Sequence, residues 1–470
     1  MNFNELGLSK DVLRGIGAMG FTNPTPIQER IIPLILADTM DVVGLAQTGT
    51  GKTAAFGLPL LEKIRTDEKR PQALILCPTR ELCIQITSDI EAYAKYIKDF
   101  SVTAVYGGAP IYNQTRAIKR GTHIIVATPG RLLDLIKRKA VNIGRVSFLV
   151  LDEADIMLHM GFKDELDAIL AMVPKKRHAL MFSATMPKDV AKIASSYMND
   201  PVEVTIGRKN SCTSNVSHNY FMVHARDKYQ ALKRIVDYYP DIYSIIFCRT
   251  RIATQQVADH MIRDGYNAEP LHGDLSQTQR NYVMDKFRNR SLQILVATDI
   301  AARGLDVNDL THIIHYDLPD ELELYTHRSG RTGRAGKGGI SLSIINMKEK
   351  FRIKRIENFI KQKISQTRIP RGQDICSQQL MHLIDKVKAV EVDSRQISPY
   401  MKVIEQKLSG LSRDDLLKQF VSLEFNKFLN YYKDRTDLAS EEVHSRKGRY
   451  NKGRKPQRGF RRKDKRKSRR

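Results

Sequence analysis

The stretch Ala46-Gln47-Thr48-Gly49-Thr50-Gly51-Lys52-Thr53 has the residue types and order needed to cradle phosphate. Small residues let successive backbone N–H groups converge on phosphate oxygens, Lys52 adds a cation, and the Thr53 hydroxyl can ligate Mg2+. About a hundred residues on, the apolar run Phe148-Leu149-Val150-Leu151 ends in Asp152-Glu153-Ala154-Asp155. That pattern predicts a buried strand whose tip presents carboxylates. Such a tip suits a metal and an attacking water. Each stretch supplies what the other lacks. On this reading Lys52 holds the β- and γ-phosphates, Thr53 and Asp152 hold Mg2+, and Glu153 orients or deprotonates the water.

These groups need elements to position them. Residues 1–206 alternate apolar and helical stretches, and predict strands at 73–77, 102–106, 124–128, 148–151 and 179–183. Alternation of this kind implies a doubly wound parallel sheet, with ligands outside the carboxyl ends of the strands. The loop, the acids and Ser183-Ala184-Thr185 all fall at such ends. The polar segment 207–218 reads as a linker. A second alternating block, 219–365, predicts strands at 244–248, 292–297, 311–316 and 340–345, and has no phosphate loop of its own. Residues 366–440 change character. Leu380, Leu383, Ile384 and Val387, then Leu408, Leu411, Leu416, Leu417 and Phe420, recur at helical spacing and predict three or four helices.

Composition narrows the function classes. With 470 residues and 41% hydrophobic content, two or three domains with real cores are expected. No run of eighteen apolar residues predicts a membrane span. The opening MNFNELGLSK has no apolar segment of the signal-peptide kind. The cysteines Cys77, Cys83, Cys212, Cys248 and Cys376 are odd in number and scattered, which fits a reducing cytoplasm. Cys77 and Cys248 lie in apolar runs and are expected in cores. The net charge is +25, and residues 445–470 hold fifteen Lys or Arg against one acid, Asp464. A basic body with a more basic tail points to a polyanion, nucleic acid first. From 441 onward a disordered, RNA-binding tail is expected.

The two motifs belong to a longer ordered set. Gly20-Phe21-Thr22-Asn23-Pro24-Thr25-Pro26-Ile27-Gln28 precedes the loop, with Phe3 further upstream. After it come Pro78-Thr79-Arg80-Glu81-Leu82, Gly107-Gly108, Thr128-Pro129-Gly130-Arg131 and Ser183-Ala184-Thr185. The second block carries Ile246-Phe247-Cys248, His272-Gly273-Asp274, Gln277 with Arg280, Ala297-Thr298-Asp299 and Arg303-Gly304-Leu305-Asp306. It closes with His327-Arg328-Ser329-Gly330-Arg331-Thr332-Gly333-Arg334. In kind and order the set resembles the DEAD-box family of ATP-dependent RNA helicases, over residues 1–365. Two positions depart from the usual pattern: Ala46 stands for a glycine, and Ser329 for an aliphatic residue.

The resemblance implies two tandem RecA-like domains with ATP and Mg2+ between them. It implies that Phe21 stacks on the base and Gln28 reads adenine, and that Gln47, Thr48, Gly49, Thr50, Gly51, Lys52, Thr53, Gly304 and Asp306 bind nucleotide. Arg331 and Arg334 match the arginine fingers, with Asp299 also on the nucleotide side. Asp155, Ser183, Thr185 and His327 match the residues that couple closure to RNA. RNA would be held through its backbone by Thr79, Arg80, Gly108, Thr128, Gly130 and Arg131, and by Arg249, Gly273, Gln277, Arg280 and Thr298. Such contacts position without reading sequence, and 2′-hydroxyl contacts favour RNA over DNA. Closure would bend one strand and separate a duplex locally, and hydrolysis would release it.

The helical region is similar to the extension of bacterial DeaD/CsdA-type cold-shock helicases, which implies dimerisation, against a plain helical cap on the second domain. That kinship also implies a role in RNA remodelling such as ribosome assembly or cold adaptation. Three rival readings make different demands on the sequence. An RNA clamp or chaperone would use ATP only to lock on. A GTPase would carry an Asn-Lys-x-Asp motif and leave Gln28 unexplained. A DNA helicase fits Asp155 and Gln28 poorly.

Overall fold

The structure, a computed structural model, describes residues 2–37, 40–47, 49–206, 215–302, 307, 310–333 and 338–432. Thr48, Gly304, Asp306 and Arg334, most of the expected linker, and the basic tail lie outside the described residues.

The first sheet contains β1 (Val42–Leu45), β2 (Ala73–Leu76), β3 (Val102–Val105), β4 (Ile124–Ala127), β5 (Phe148–Asp152), β6 (His178–Ser183) and β7 (Val202–Thr205). Their spatial order is β3-β4-β2-β5-β6-β1-β7, parallel throughout. The second sheet contains β8 (Val216–Met222), β9 (Ser244–Cys248), β10 (Ala268–Leu271), β11 (Ile294–Thr298), β12 (His312–His315), β13 (Gly339–Ile345) and β14 (Ser365–Gln366). Its order, β10-β11-β9-β12-β13-β8-β14, repeats the first, again parallel. Two tandem parallel-sheet domains are therefore present, as expected.

Helices cover both faces, so the central strands are apolar on both sides. In β2 all four residues are buried, and in β5 all five. Cys77 and Cys248 are free thiols buried in these cores, and burial pushes both thiol pKa values up. Each expected strand is present within two residues. Five more carry weak signals: β1 contains Gly44, β7 is half exposed, β8 carries Ser217, His218 and Asn219, β10 contains Pro270, and β14 is only two residues long. Pro270 is accommodated because β10 is an edge strand. Because β8 begins at Val216, residues 216–218 of the expected linker belong instead to the second sheet. β14 likewise carries that sheet to Gln366, just past the expected boundary at 365.

Beyond it stand the helices Gly372–Ala389, Ser394–Leu408 and Arg413–Tyr432. The first and last pack on the second domain around the helix Lys228–Tyr238. Asp237 of that helix accepts from Tyr432 Oη and, through its backbone carbonyl, from Gln379 Nε2 at 2.5 Å. The Lys233 ammonium lies 3.8 Å from the Tyr431 ring centre. Gly372 permits this approach, since a Cβ there would lie 2.9 Å from Tyr432 Cβ. Most residues of the helical spacing nonetheless face outward, among them Ile384, Val387, Leu408, Leu416, Leu417 and Phe420.

Candidate active site and nucleic-acid interface

β1 delivers the chain to the phosphate loop, and the helix Lys52–Lys63 leaves it. Gly51 is the helix N-cap with φ +88°, a backbone conformation that a Cβ would strain. Lys52 follows, and its Nζ is buried with no hydrogen-bond partner among the described residues. A buried ammonium without a partner is costly unless an anion meets it. A helix N-terminus with converging N–H groups is where phosphate satisfies that demand.

The segment before the loop braces it. Thr25 Oγ1 donates to Thr50 O at 2.8 Å, and Gln28 Nε2 donates to Gly51 O at 3.0 Å. Gln28 Oε1 accepts from Thr25 N at 2.9 Å. Gln28 therefore ties its helix to the loop while one N–H and one lone pair stay available for a base edge. Phe21 is 37% exposed, with Phe3 stacked at 6.4 Å and Tyr93 tilted at 6.2 Å behind it. An open ring face remains for a base.

β5 ends in Asp152, and the chain turns sharply at Glu153, a non-glycine residue at φ +50°. The buried Glu153 Oε2 has no partner among the described residues. Burial pushes the Asp152 carboxyl up to about 6; Glu153 adds to this, and Lys52 opposes it. Among the described residues no three His, Cys, Asp or Glu side chains form a metal cluster by themselves. One carboxylate beside a phosphate site is the Mg2+ pattern, in which substrate oxygens and water complete the shell.

Asp155 is the junction between the domains. Its Oδ2 accepts from Thr185 N at 3.0 Å and Thr185 Oγ1 at 2.6 Å, and lies 3.1 Å from His327 Nε2 of the second domain. Ser183 Oγ donates to Thr185 O at 2.7 Å. Burial alone would raise the Asp155 carboxyl, but His327 and Thr185 hold it well below the usual carboxylate range. Arg331 is buried in the same wall as His327, beside Asp299 and Phe247.

The other face collects the expected RNA residues. Thr79 caps the helix Arg80–Tyr93 by accepting from Leu82 N at 3.2 Å, and Arg80 lies over the Tyr106 ring at 4.7 Å. Arg131 Nη1 donates to Ala109 O and Gln114 Oε1. Thr128 begins the next helix, Pro129–Lys137, and at Gly130 and Gly273 an added Cβ would meet only open space. Gly108 lies against Arg80, with an added Cβ 3.4 Å from Arg80 Nη1. Arg280 Nη2 donates to Glu81 Oε1 at 3.0 Å, which joins the two domains' sets. Arg80 Nε and Nη1 and Arg280 Nε are buried without partners among the described residues.

A groove of about 590 Å3 between the domains is lined by His159 and Met160 on one side and Arg249, Gly273 and Thr298 on the other. Arg249 leans on Asp320 at 3.6 Å, and Gln277 Nε2 donates to Asn281 Oδ1. The sequence reading missed three further contacts: Glu81 with Arg280, His159 with Glu321, and Arg328 with Asp299. Each joins residues far apart in the chain, and no local pattern announces that.

Fold and site together define a nucleoside-triphosphate-driven protein of two parallel-sheet domains that meet over a groove lined by charges of both signs. The comparisons agree. The pattern described as DEAD/DEAH box helicase matches residues 25–193, and that of the helicase conserved C-terminal domain matches 227–336. A helical domain described as that of a probable ATP-dependent RNA helicase matches 375–433. The DEAD-box ATP-dependent RNA helicase CshA of Geobacillus kaustophilus is 42% identical over 86% of this chain and 86% of its own. CshA of Bacillus subtilis is 40% identical over 85% and 81%. Among solved structures, S. cerevisiae Dbp5 bound to RNA and ADP BeF3 is 30% identical, with a TM-score of 0.73 over 82% of this chain and 99% of that one. Mss116p bound to ssRNA and AMP-PNP is 26% identical, with a TM-score of 0.72 over 91% and 90%. The chain belongs to the DEAD-box ATP-dependent RNA helicases. Its two sheets are the RecA-like pair of that family.

Proposed function

We propose that the protein hydrolyses ATP in the cleft between its two domains and uses the cycle to bind, locally separate and release RNA. One observation carries the proposal. Among the described residues, buried cationic nitrogens without a hydrogen-bond partner occur in both sets of residues, Lys52 Nζ in the phosphate loop and Arg80 Nε and Nη1 with Arg280 Nε in the expected RNA set. Anions of two kinds would satisfy them, a triphosphate and an RNA backbone.

In this reading Lys52 and the loop N–H groups bind the β- and γ-phosphates. Thr53 and Asp152 would hold Mg2+, which when bound shields phosphate charge. Glu153, whose Oε2 is free among the described residues, orients the attacking water or takes its proton. Arg331 brings a cation to the charge that develops on the transferred phosphoryl group. Gln28 and Phe21 select and stack adenine. Arg334, Gly304 and Asp306 are assigned from the sequence alone. Thr79, Arg80, Gly108, Thr128, Gly130 and Arg131, with Arg249, Gly273, Gln277, Arg280 and Thr298, hold backbone groups, so binding is independent of sequence.

The outward apolar faces of the last three helices support self-association, since contiguous exposed apolar surface marks interaction sites. Among the described residues no helix is long and apolar enough to cross a membrane, and the scattered cysteines suit the cytoplasm. The test is multiple-turnover ATP hydrolysis with and without single-stranded RNA, together with strand separation of a short labelled duplex. Stimulated turnover with unwinding is expected. Single-turnover locking without unwinding would favour an ATP-regulated clamp.

A further inference from the structure

The core of the second domain holds a polar network to which the cycle above gives no task. His315 ends β12 and is fully buried. Its Nε2 lies 3.1 Å from Ser341 Oγ and 3.3 Å from Ser329 Oγ, and its Nδ1 lies 3.3 Å from Arg328 Nη1. The ring stacks on Tyr325 at 4.4 Å. A guanidinium only donates, so Nδ1 is the acceptor and Nε2 carries the proton offered to the serines. Burial first, then Arg328 and His218, push the His315 pKa well below its ordinary value, which keeps the ring neutral.

Arg328 is gripped from several sides. Its Nε and Nη2 clasp Asp299 at 2.5 and 2.7 Å, and its Nη1 donates to Asp317 O at 2.6 Å as well as to His315. Phe247 lies beneath its guanidinium at 4.9 Å. Asp299 directly follows Thr298 of the groove. On the helix Leu322–Ser329, His327 precedes Arg328 and reaches Asp155; Arg331 comes three residues later. Arg328 thus lies between the RNA side and the nucleotide side. Ser329 departs from the aliphatic pattern at its position, and its hydroxyl also lies 3.0 Å from Ser341 Oγ.

We infer that His315, oriented by Ser329 and Ser341, is a positioning residue for ATP turnover. It supplies the acceptor that fixes the Arg328–Asp299 clasp and so sets the roll of the helix that carries His327, and with it the turn just beyond that carries Arg331. The inference rests on the reading of the cleft given above. Small misplacements of a reacting group cost rate rather than ground-state affinity.

The test is RNA-stimulated ATPase of the full-length protein, with thermal unfolding of each variant. His315→Leu removes the acceptor. Its kcat at saturating RNA falls about 10- to 100-fold, and its KM for ATP stays within about twofold. His315→Asn places an oxygen acceptor near Nδ1 and recovers kcat to within about threefold of wild type. Should His315→Leu not fold, the Ser329→Ala, Ser341→Ala double variant decides, with kcat falling about tenfold. A folded His315→Leu with unchanged kcat overturns the inference. So does His315→Asn falling as far as His315→Leu, or an unchanged double variant. A wild type without RNA stimulation would instead overturn the reading of the cleft.

Discussion

The two sheets share one strand order, and their equivalent positions carry the same two residue types with opposite outcomes. After β1 the helix begins with Lys52; after β8 it begins with Lys228. The fourth strand of each sheet ends in or is followed by an acid, Asp152 and Asp317. In the second domain the pair is closed, with Lys228 Nζ 2.8 Å from Asp317 Oδ1. In the first it is open, with Lys52 Nζ buried and partnerless among the described residues. Electrostatics follow. Burial pushes the Asp152 carboxyl up to about 6, whereas Lys228 and Arg249 hold that of Asp317 below its ordinary value against the effect of burial. The difference lies in the connection. The first connection turns through glycines at 49 and 51 in left-handed backbone, whereas the second is the 3-10 turn Ala225–Asp227, after which Lys228 bonds Asp317. One fold thus leaves a buried lysine without a partner among the described residues in the first domain, as the proposed phosphate site requires, and closes an ion pair in the second.

The largest break in this comparison should come from the partner that the second sheet lends to the first. Arg331→Ala should lower kcat about 10³- to 10⁵-fold, with a much smaller change in ATP affinity. Stopped-flow binding beside steady-state hydrolysis separates the two, and a pure affinity loss would make Arg331 a ground-state ligand. Glu153→Gln should slow hydrolysis about 10²- to 10⁴-fold while nucleotide and RNA binding persist. The variant should then remain on RNA with ATP bound, and a gel-shift lifetime no longer than wild type would remove Glu153 from that role.

The closed pair should behave as structure. Asp317→Asn should cost about 1–3 kcal/mol of stability and leave the KM for ATP unchanged. Its pH signature has a definite sign. Because folding lowers the Asp317 pKa, its contribution is fully present above the unfolded value near 3.8 and is lost as pH falls through the folded one. Wild type minus variant stability should therefore shrink below about pH 4. A difference that grows on acidification would contradict the pairing.

The C-terminal regions give the smallest effects. Deleting 445–470 should raise the KM for RNA and leave the maximal ATPase rate unchanged. Each lost phosphate contact should flatten the log–log salt slope by about 0.7 on single strands. An identical slope would make the charge run a solubilising end. Light scattering at micromolar concentration should show a dimer for the full chain and a monomer for a chain ending at 365. A monomeric full chain would leave the helices as a cap.

What the sequence exposes and what it hides divide along physical lines. The phosphate loop, the acids at the β5 tip and the apolar central strands are legible because each is a local pattern with a local cause. The edge strand β10, with its proline, and the polar-faced β8 carry no such pattern. Nor does spacing reveal that Gln28 braces Gly51, that Arg280 meets Glu81, or that Lys228 closes on Asp317. These depend on which loops the sheets bring together. Ser329 did announce itself as a departure from pattern, but its reason, the buried His315 beside it, needed three dimensions.

The central claim is that the open lysine of the first sheet, and not its closed counterpart in the second, powers work on RNA. Steady-state ATP hydrolysis with and without single-stranded RNA tests it most directly, on wild type, Lys52→Ala and Lys228→Ala. RNA should stimulate wild type and folded Lys228→Ala with the same KM for ATP, and Lys52→Ala should show no stimulated turnover. Stimulated hydrolysis that survives in Lys52→Ala would contradict the account.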